Sequence, residues 1–365
     1  MLQEPLTGPA AWHGPDLAGR DEWTVRLSPA HLAELDAALH TARSRGVTLL
    51  RSTAADFPLP TLAAGLERIA EELENGRGFV LVKGLPVDRY GAAAAGRALW
   101  GIGRHLGVPV SQNAAGHLLG HVRDTGRTMA DPATRGYQTR TGLGFHTDGS
   151  DVLALLCLRP AAEGGRIGLA SSAAVHNAVL ARRPDLAARL YRRYAVDRRE
   201  EHAPDERPYD TVPLACWHEG RLSLRYNRCH LESAQRFPDA PRPEPEDTEL
   251  FDLIDESASS PASRLDLDLE AGDLLLVNNL AVLHSRSAYR DGPGHRRYLL
   301  RLWLALRQGR PLPPALWTDP YRADTDTGRG GVPPRDVITP PHPADRTVRL
   351  PHRSRHRLGP KETTP

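Results

Sequence analysis

Lysine is almost missing from this chain. Lys83 and Lys361 are the only two in 365 residues, and every other basic side chain is an arginine. With 47 basic residues against 45 acidic ones the net charge is +2, which supplies no field to draw the protein onto nucleic acid or a membrane surface. Cysteine is equally scarce. Cys157, Cys216 and Cys229 are odd in number and form no C-x-x-C pair, which argues against a disulfide framework or a zinc knuckle and fits a reducing cytoplasm. No apolar run approaches the roughly 20 residues needed to span a bilayer. The opening "MLQEPLTGPAAWHGPDLAG" has no basic patch followed by an apolar core, so it does not read as a signal peptide. There is no G-x-x-x-x-G-K-[ST] phosphate loop and no G-x-S-x-G elbow, and no serine is marked as a nucleophile. "GIGRHLG" (101–107) is spaced G-x-G-x-x-x-G inside a helical run, which makes it a helix C-terminus rather than a dinucleotide loop.

What is present is ordinary for a globular protein with a sizeable core: 40% hydrophobic and 25% charged residues. Residues 1–22, rich in Pro, Gly and Ala, are expected to be loosely ordered. Helical signals follow. Ser28 is an N-cap with Pro29 behind it, and Gly46 closes that helix. "LPTLAAGLERIAEELENGRG" is a second helix ending at Gly76 or Gly78, and "AAAAGRALWGIGRHLG" a third, with the short strand "FVLVKGLPV" between them. From about residue 140 short apolar runs dominate: "DVLALLCLRP", "GRIGLASS", "TVPLACWHEGRLSLRYN", "LDLDLEAGDLLLVNNLAVLH" and "RRYLLRLWLAL". One helix, "SSAAVHNAVLARRPDLAARLY", is inserted among them, and the carboxylate run "EPEDTELFDLIDE" starts another with a solvated face. Helices first and strands later predict an α+β fold, a single domain over 23–310. The Pro- and Arg-rich stretch 311–365 is expected to be an extended tail.

The chemistry concentrates in "LGFHTDGSDV" (143–152). In a strand, residues i and i+2 share a face, so His146 and Asp148 can aim an imidazole and a carboxylate at one point while Thr147 points away. Asp151 stands at odd spacing from His146 and faces the other side. A third ligand is available where the strand "GDLLLVNNLAVLH" ends, at His284. His176 falls in a predicted helix, His295 in a loop beside arginines, and His230 is a weaker competitor. Two histidines and one carboxylate on one face of an octahedron suit Fe(II) with three positions left open. A bidentate cosubstrate with a second carboxylate then needs a cation at its far end. In "HRRYLLRLWLAL", parity puts Arg297, Leu299, Arg301 and Trp303 on one face. Two arginines facing inward from an apolar strand each call for an anion.

The order H-x-D, then "GDLLLVNNLAVLH", then arginines thirteen and seventeen residues on resembles the TauD/TfdA family of Fe(II)/2-oxoglutarate-dependent dioxygenases, over about residues 70–310. The resemblance implies a double-stranded β-helix, a jelly roll with helices packed outside. It implies iron held by His146, Asp148 and His284, with 2-oxoglutarate and O2 as cosubstrates. Arg297 would grip the distal carboxylate of 2-oxoglutarate, and Arg301 would contact either the cosubstrate or an anionic group on the substrate. One departure stands out: where many members have Thr or Ser after the Gly-Gly pair, this chain has Ile167, which cannot donate. Ser171, Ser172 or water would have to serve instead. The implied activity is hydroxylation, desaturation or cyclisation of a small acidic or zwitterionic molecule. Halogenation is disfavoured because Asp148 is retained. Asn113 and Tyr137, in loops before the metal strand, are candidate pocket-wall residues. Two alternatives stay open: a jelly-roll metalloenzyme that does not use 2-oxoglutarate, and a non-catalytic small-molecule-binding relative. Nothing in the sequence speaks to oligomeric state.

Overall fold

The computed structural model describes residues 1–202, 204–313 and 329–332. Most of the expected C-terminal tail therefore lies outside the described residues. The long strand Val152–Arg159 runs between Leu274–Asn278 and Tyr298–Leu306, at the centre of a seven-stranded sheet. Beyond these, Phe79–Lys83 and Thr24–Arg26 extend one side, while Gly107–Val110 and Leu119–Val122 share the outer edge of Tyr298–Leu306. The sheet is antiparallel except at its end, where Thr24–Arg26 joins Phe79–Lys83 in parallel.

Alternation along these strands sorts two cores. Val152, Ala154 and Leu156 pack outward with Leu300, Leu302, Leu304, Leu274 and Leu276. That face is covered by the helices Pro29–Ser44, Leu62–Asn75 and Val87–Leu106. Leu153, Leu155 and Cys157 pack inward with Leu299, Trp303, Leu275 and Val277. They meet Ile167, Leu169, Leu265 and Val282 of a second sheet, ordered Leu265–Leu267, Ile167–Ser171, Val282–Arg286, Leu143–His146. The far side of that sheet carries Phe145, Ala170 and Leu283 against the helices Ser172–Arg182 and Pro245–Ser259. Two sheets face to face with helices outside is the expected jelly-roll layering, although the larger sheet is mixed and does not close.

Several local expectations match. Ser28 caps its helix through His31, Gly76 caps Leu62–Asn75, and "GIGRHLG" ends Val87–Leu106. Gly272 has φ +89°, and a Cβ there would lie 2.2 Å from the Leu85 carbonyl oxygen; only glycine fits that turn. Others need correction. The helix expected over 171–191 stops at Arg182, because Arg183 precedes Pro184 and takes extended backbone (φ −144°, ψ 69°) before a 3-10 stretch, Pro184–Tyr191. The carboxylate run does start a helix, but its face is not all solvated: Asp247 is buried and accepts from Arg189 Nη1 (2.7 Å) and the Tyr194 hydroxyl (2.9 Å). The first 22 residues are mostly exposed but not without an anchor. Trp12 is buried against Phe79 and donates to the Arg77 carbonyl (2.8 Å).

Candidate metal centre

His146 and His284 are directly opposite one another in the antiparallel pair Leu143–His146 and Val282–Arg286. This register brings the two imidazoles side by side, with ring centroids 4.3 Å apart. Asp148 follows just past the strand end. Its Oδ1 lies 3.9 Å from His146 Nε2 and its Oδ2 lies 4.0 Å from His284 Nε2. One ligand atom from each of the three lies within 4.8 Å of the others.

The surroundings prepare these atoms for a metal. His146 Nδ1 sits 2.8 Å from the Gly144 carbonyl oxygen; an N–H there leaves the Nε2 lone pair free towards Asp148. Burial, reinforced by the neighbouring His146, pushes His284 down to about 3, so its imidazole is neutral at pH 7. Burial alone would raise the Asp148 carboxyl, but the Arg301 guanidinium and a hydrogen bond from Trp303 hold it well below the usual carboxylate range. Trp303 Nε1 donates to Asp148 Oδ2 at 2.9 Å, and Arg301 Nη1 lies 3.4 Å from the same oxygen. The Asp148 backbone N–H donates to Asn279 Oδ1 (3.0 Å), and the buried Asn279 side chain in turn donates to the Ser150 carbonyl (3.1 Å). Two imidazoles and one ionised carboxylate are the donor set that Fe(II) takes in open-sided sites. Because supporting partners of this kind typically affect metal affinity 10- to 100-fold, Trp303→Phe is expected to weaken iron binding by about tenfold, measured by competition with a chromogenic chelator.

Thr147 turns away, exchanging hydrogen bonds with the Tyr226 backbone. Asp151 is turned away as well and has a separate task. It is 1% exposed, accepts the Leu306 N–H (2.9 Å), and pairs with Arg329 at 2.9 Å. Gly331 N–H then donates to the Gly149 carbonyl (2.7 Å) and Val332 N–H to that of Ser111 (2.8 Å). Residues 329–332 thus clasp the loop that leaves Asp148.

The three ligand candidates line a cavity of about 620 Å³ together with Arg297, Arg301 and Tyr137. Arg297 is 3% exposed, and its Nη1 has no partner among the described residues. Between it and the histidines the lining is apolar: Leu153, Leu155, Ile167 and Leu299. Ser171 and Ser172 do not make up for Ile167. Ser171 caps a helix by accepting from Ala174 N–H, and neither serine reaches the cavity. Arg301 is turned towards Asp148 and donates through Nε to Gln112 Oε1 (2.6 Å), with its guanidinium 4.6 Å from the Tyr137 ring centre. Asn113 is not on the wall. Its Oδ1 accepts from Ala115 and His117 in a turn, and its Nδ2 lies 3.3 Å from the Tyr137 hydroxyl. His230 lines the mouth beside Arg135, outside the three-ligand cluster. Three contributors escaped sequence reasoning: Arg135, Asn279 and Arg286. Arg286 stands at i+2 from His284, the same spacing that singled out His-x-Asp.

The chain matches the family model described as "Taurine catabolism dioxygenase TauD, TfdA family" over residues 43–303. It is 32% identical over 324 residues to FR-33289 synthase of Streptomyces rubellomurinus, spanning 87% of this chain and 95% of that protein. It is 30% identical over 314 residues to the taurine hydroxylase-like protein SAT17 of Stachybotrys chartarum, spanning 82% and 80%. Among solved structures, the non-haem iron oxygenase OrfP in complex with Fe and alpha-ketoglutaric acid superposes with a TM-score of 0.60 at 17% identity, covering 85% of this chain and 99% of that one. An asparagine oxygenase complex with Fe(II), hydroxyasparagine and succinate gives 0.58 at 18% identity, covering 78% and 94%. The chain therefore belongs to the TauD/TfdA family of Fe(II)/2-oxoglutarate-dependent dioxygenases.

Proposed function

We propose that this enzyme hydroxylates a small acidic or zwitterionic metabolite, with His146, Asp148 and His284 holding Fe(II) and Arg297 receiving the distal carboxylate of 2-oxoglutarate. The observation that carries the reading is one cavity lined at once by the three ligand side chains and by a buried Arg297 whose Nη1 lacks a partner. When bound, the iron supplies the oxidising chemistry, driven by decarboxylation of 2-oxoglutarate with O2. The chain's own residues do the positioning. The Gly144 carbonyl sets the His146 tautomer, and Trp303 and Arg301 anchor Asp148. Leu153, Leu155, Ile167 and Leu299 keep water from the carbon chain between the two polar ends.

The substrate class rests on the polar part of the cavity lining. Arg135, Arg301, His230 and Asn227 line the side nearest Asp148, so an anionic group meets donors there. Glu232 and Asp255 line another part of the wall, where they hold Arg228 and, for Asp255, the Tyr226 hydroxyl. Amino-acid products appear in the structural relatives, hydroxyasparagine in the asparagine oxygenase and (3S)-hydroxy-L-Arg in OrfP.

Anaerobic addition of Fe(II) and 2-oxoglutarate should give a weak visible charge-transfer band, and Arg297→Ala should shift its titration to higher 2-oxoglutarate concentration. With O2, succinate formation should be stimulated by members of a panel of amino acids and related zwitterions, with a product one oxygen heavier. No band at millimolar 2-oxoglutarate would sink the assignment.

A further inference from the structure

Away from the three ligand candidates, the same cavity contains a charge imbalance. Arg286 lines it as well as Arg297, and the two are 5% and 3% exposed. Each guanidinium carbon lies 5.0 Å from the centre of one ring, that of Tyr289. Among the described residues, no carboxylate pairs with either arginine. Each also keeps a buried N–H without a partner, Nε on Arg286 and Nη1 on Arg297. Arg286 uses Nη2 to donate to the Thr139 carbonyl (2.9 Å) and to that of Thr141.

Two buried guanidiniums with no carboxylate in direct contact repel one another and have both lost water. An anion reachable by both would remove the repulsion and use the two idle donors. The nearby apolar walls, Leu155, Ile167 and Leu299, offer it nothing else.

We propose that Arg286 is a second cosubstrate-binding residue, its Nε acting with Arg297 Nη1 on the distal carboxylate of a 2-oxo dicarboxylic acid. The inference rests on the reading above that 2-oxoglutarate is the cosubstrate. It also accounts for Ile167, since a second arginine supplies the donor that this position lacks.

The test is calorimetric titration of the Mn(II)-loaded full chain with 2-oxoglutarate and with 2-oxopentanoate. The second ligand has the same chelating head and carbon chain but no distal carboxylate. Arg286→Gln is expected to weaken 2-oxoglutarate roughly 10- to 100-fold, the range for a lost charge-assisted hydrogen bond. Binding of 2-oxopentanoate should stay within about twofold, because that ligand has no second carboxylate for either arginine to hold. Equal weakening of both ligands would mean that Arg286 only braces the 139–141 loop, and no weakening would mean that it is idle; either outcome overturns the inference. If Arg286→Gln does not fold, Arg286→Lys replaces it, with a smaller loss still confined to 2-oxoglutarate; unchanged affinity overturns the proposal. Wild-type protein that binds both ligands equally would instead overturn the cosubstrate reading, and this inference with it.

Discussion

His284→Ala is expected to abolish iron-dependent succinate formation while leaving the fold in place. The residue sits in the middle of the smaller sheet, opposite His146 and beside Leu169, so its imidazole has one direction open, towards Asp148. Removing it leaves a histidine and a carboxylate, too few donors for an iron that must also keep a face open for cosubstrate. Partners one shell further out typically affect affinity or activity 10- to 100-fold, so loss of a ligand should exceed about 100-fold. The main-chain pairing on either side of His284 does not depend on its ring, and far-UV circular dichroism should be unchanged. His230→Ala is the matching control. His230 lines the cavity mouth but lies outside the three-ligand cluster, so the variant should take up iron normally. If His230→Ala lost iron and His284→Ala kept it, the ligand assignment would be wrong.

Arg329→Ala should produce the largest loss of stability among the substitutions considered. Its partner Asp151 is 1% exposed and already meets Arg329, the Leu306 N–H and the close approach of Gly309. Deleting one member of a buried pair typically costs about 3–5 kcal/mol, because the other charge is left without compensation. For a domain of this size that corresponds to a melting-temperature drop on the order of 10 °C. The pH dependence has a definite sign. Burial raises the Asp151 carboxyl above its ordinary value even with Arg329 beside it, and removing Arg329 raises it further. The folded variant then holds a proton that the unfolded chain releases, so its stability falls as pH rises. The deficit should be greater at pH 7 than at pH 5, and adding Asp151→Asn should recover part of it. A melting temperature within a degree or two of wild type would show that solvent already neutralises Asp151.

Much of this site was legible in the chain because strand alternation is a short-range rule. It placed His146 with Asp148 and turned Thr147 away, and it grouped Leu299, Arg301 and Trp303 on the inner face with Arg297. The same reasoning, extended two residues past His284, would have reached Arg286, although a register irregularity between His284 and Arg286 blurs the alternation there. Capping residues at Ser28 and Gly76 were readable for the same local reason. What escaped depends on partners far apart in sequence. Trp12 is anchored by Phe79 and the Arg77 carbonyl, both far along the chain. Asn279 matters because the chain returns beside Asp148, 131 residues away. Asn113 carries a polar side chain in a plausible loop, yet its hydrogen bonds turn inward to its own turn, and no spacing rule reveals that.

The pairing of Asp151 with Arg329 also constrains how the protein can be made. The two partners are 178 residues apart, and a ribosome delivers the aspartate long before the arginine. While those 178 residues are being added the loop after Asp148 lacks its clasp, and for much of that interval His284 too is still to come. A nascent chain released early would carry His146 and Asp148 but could not complete the iron site. The three ligand candidates are thus complete once residue 284 is made, and the clasp on the loop beside them is added only with residue 329.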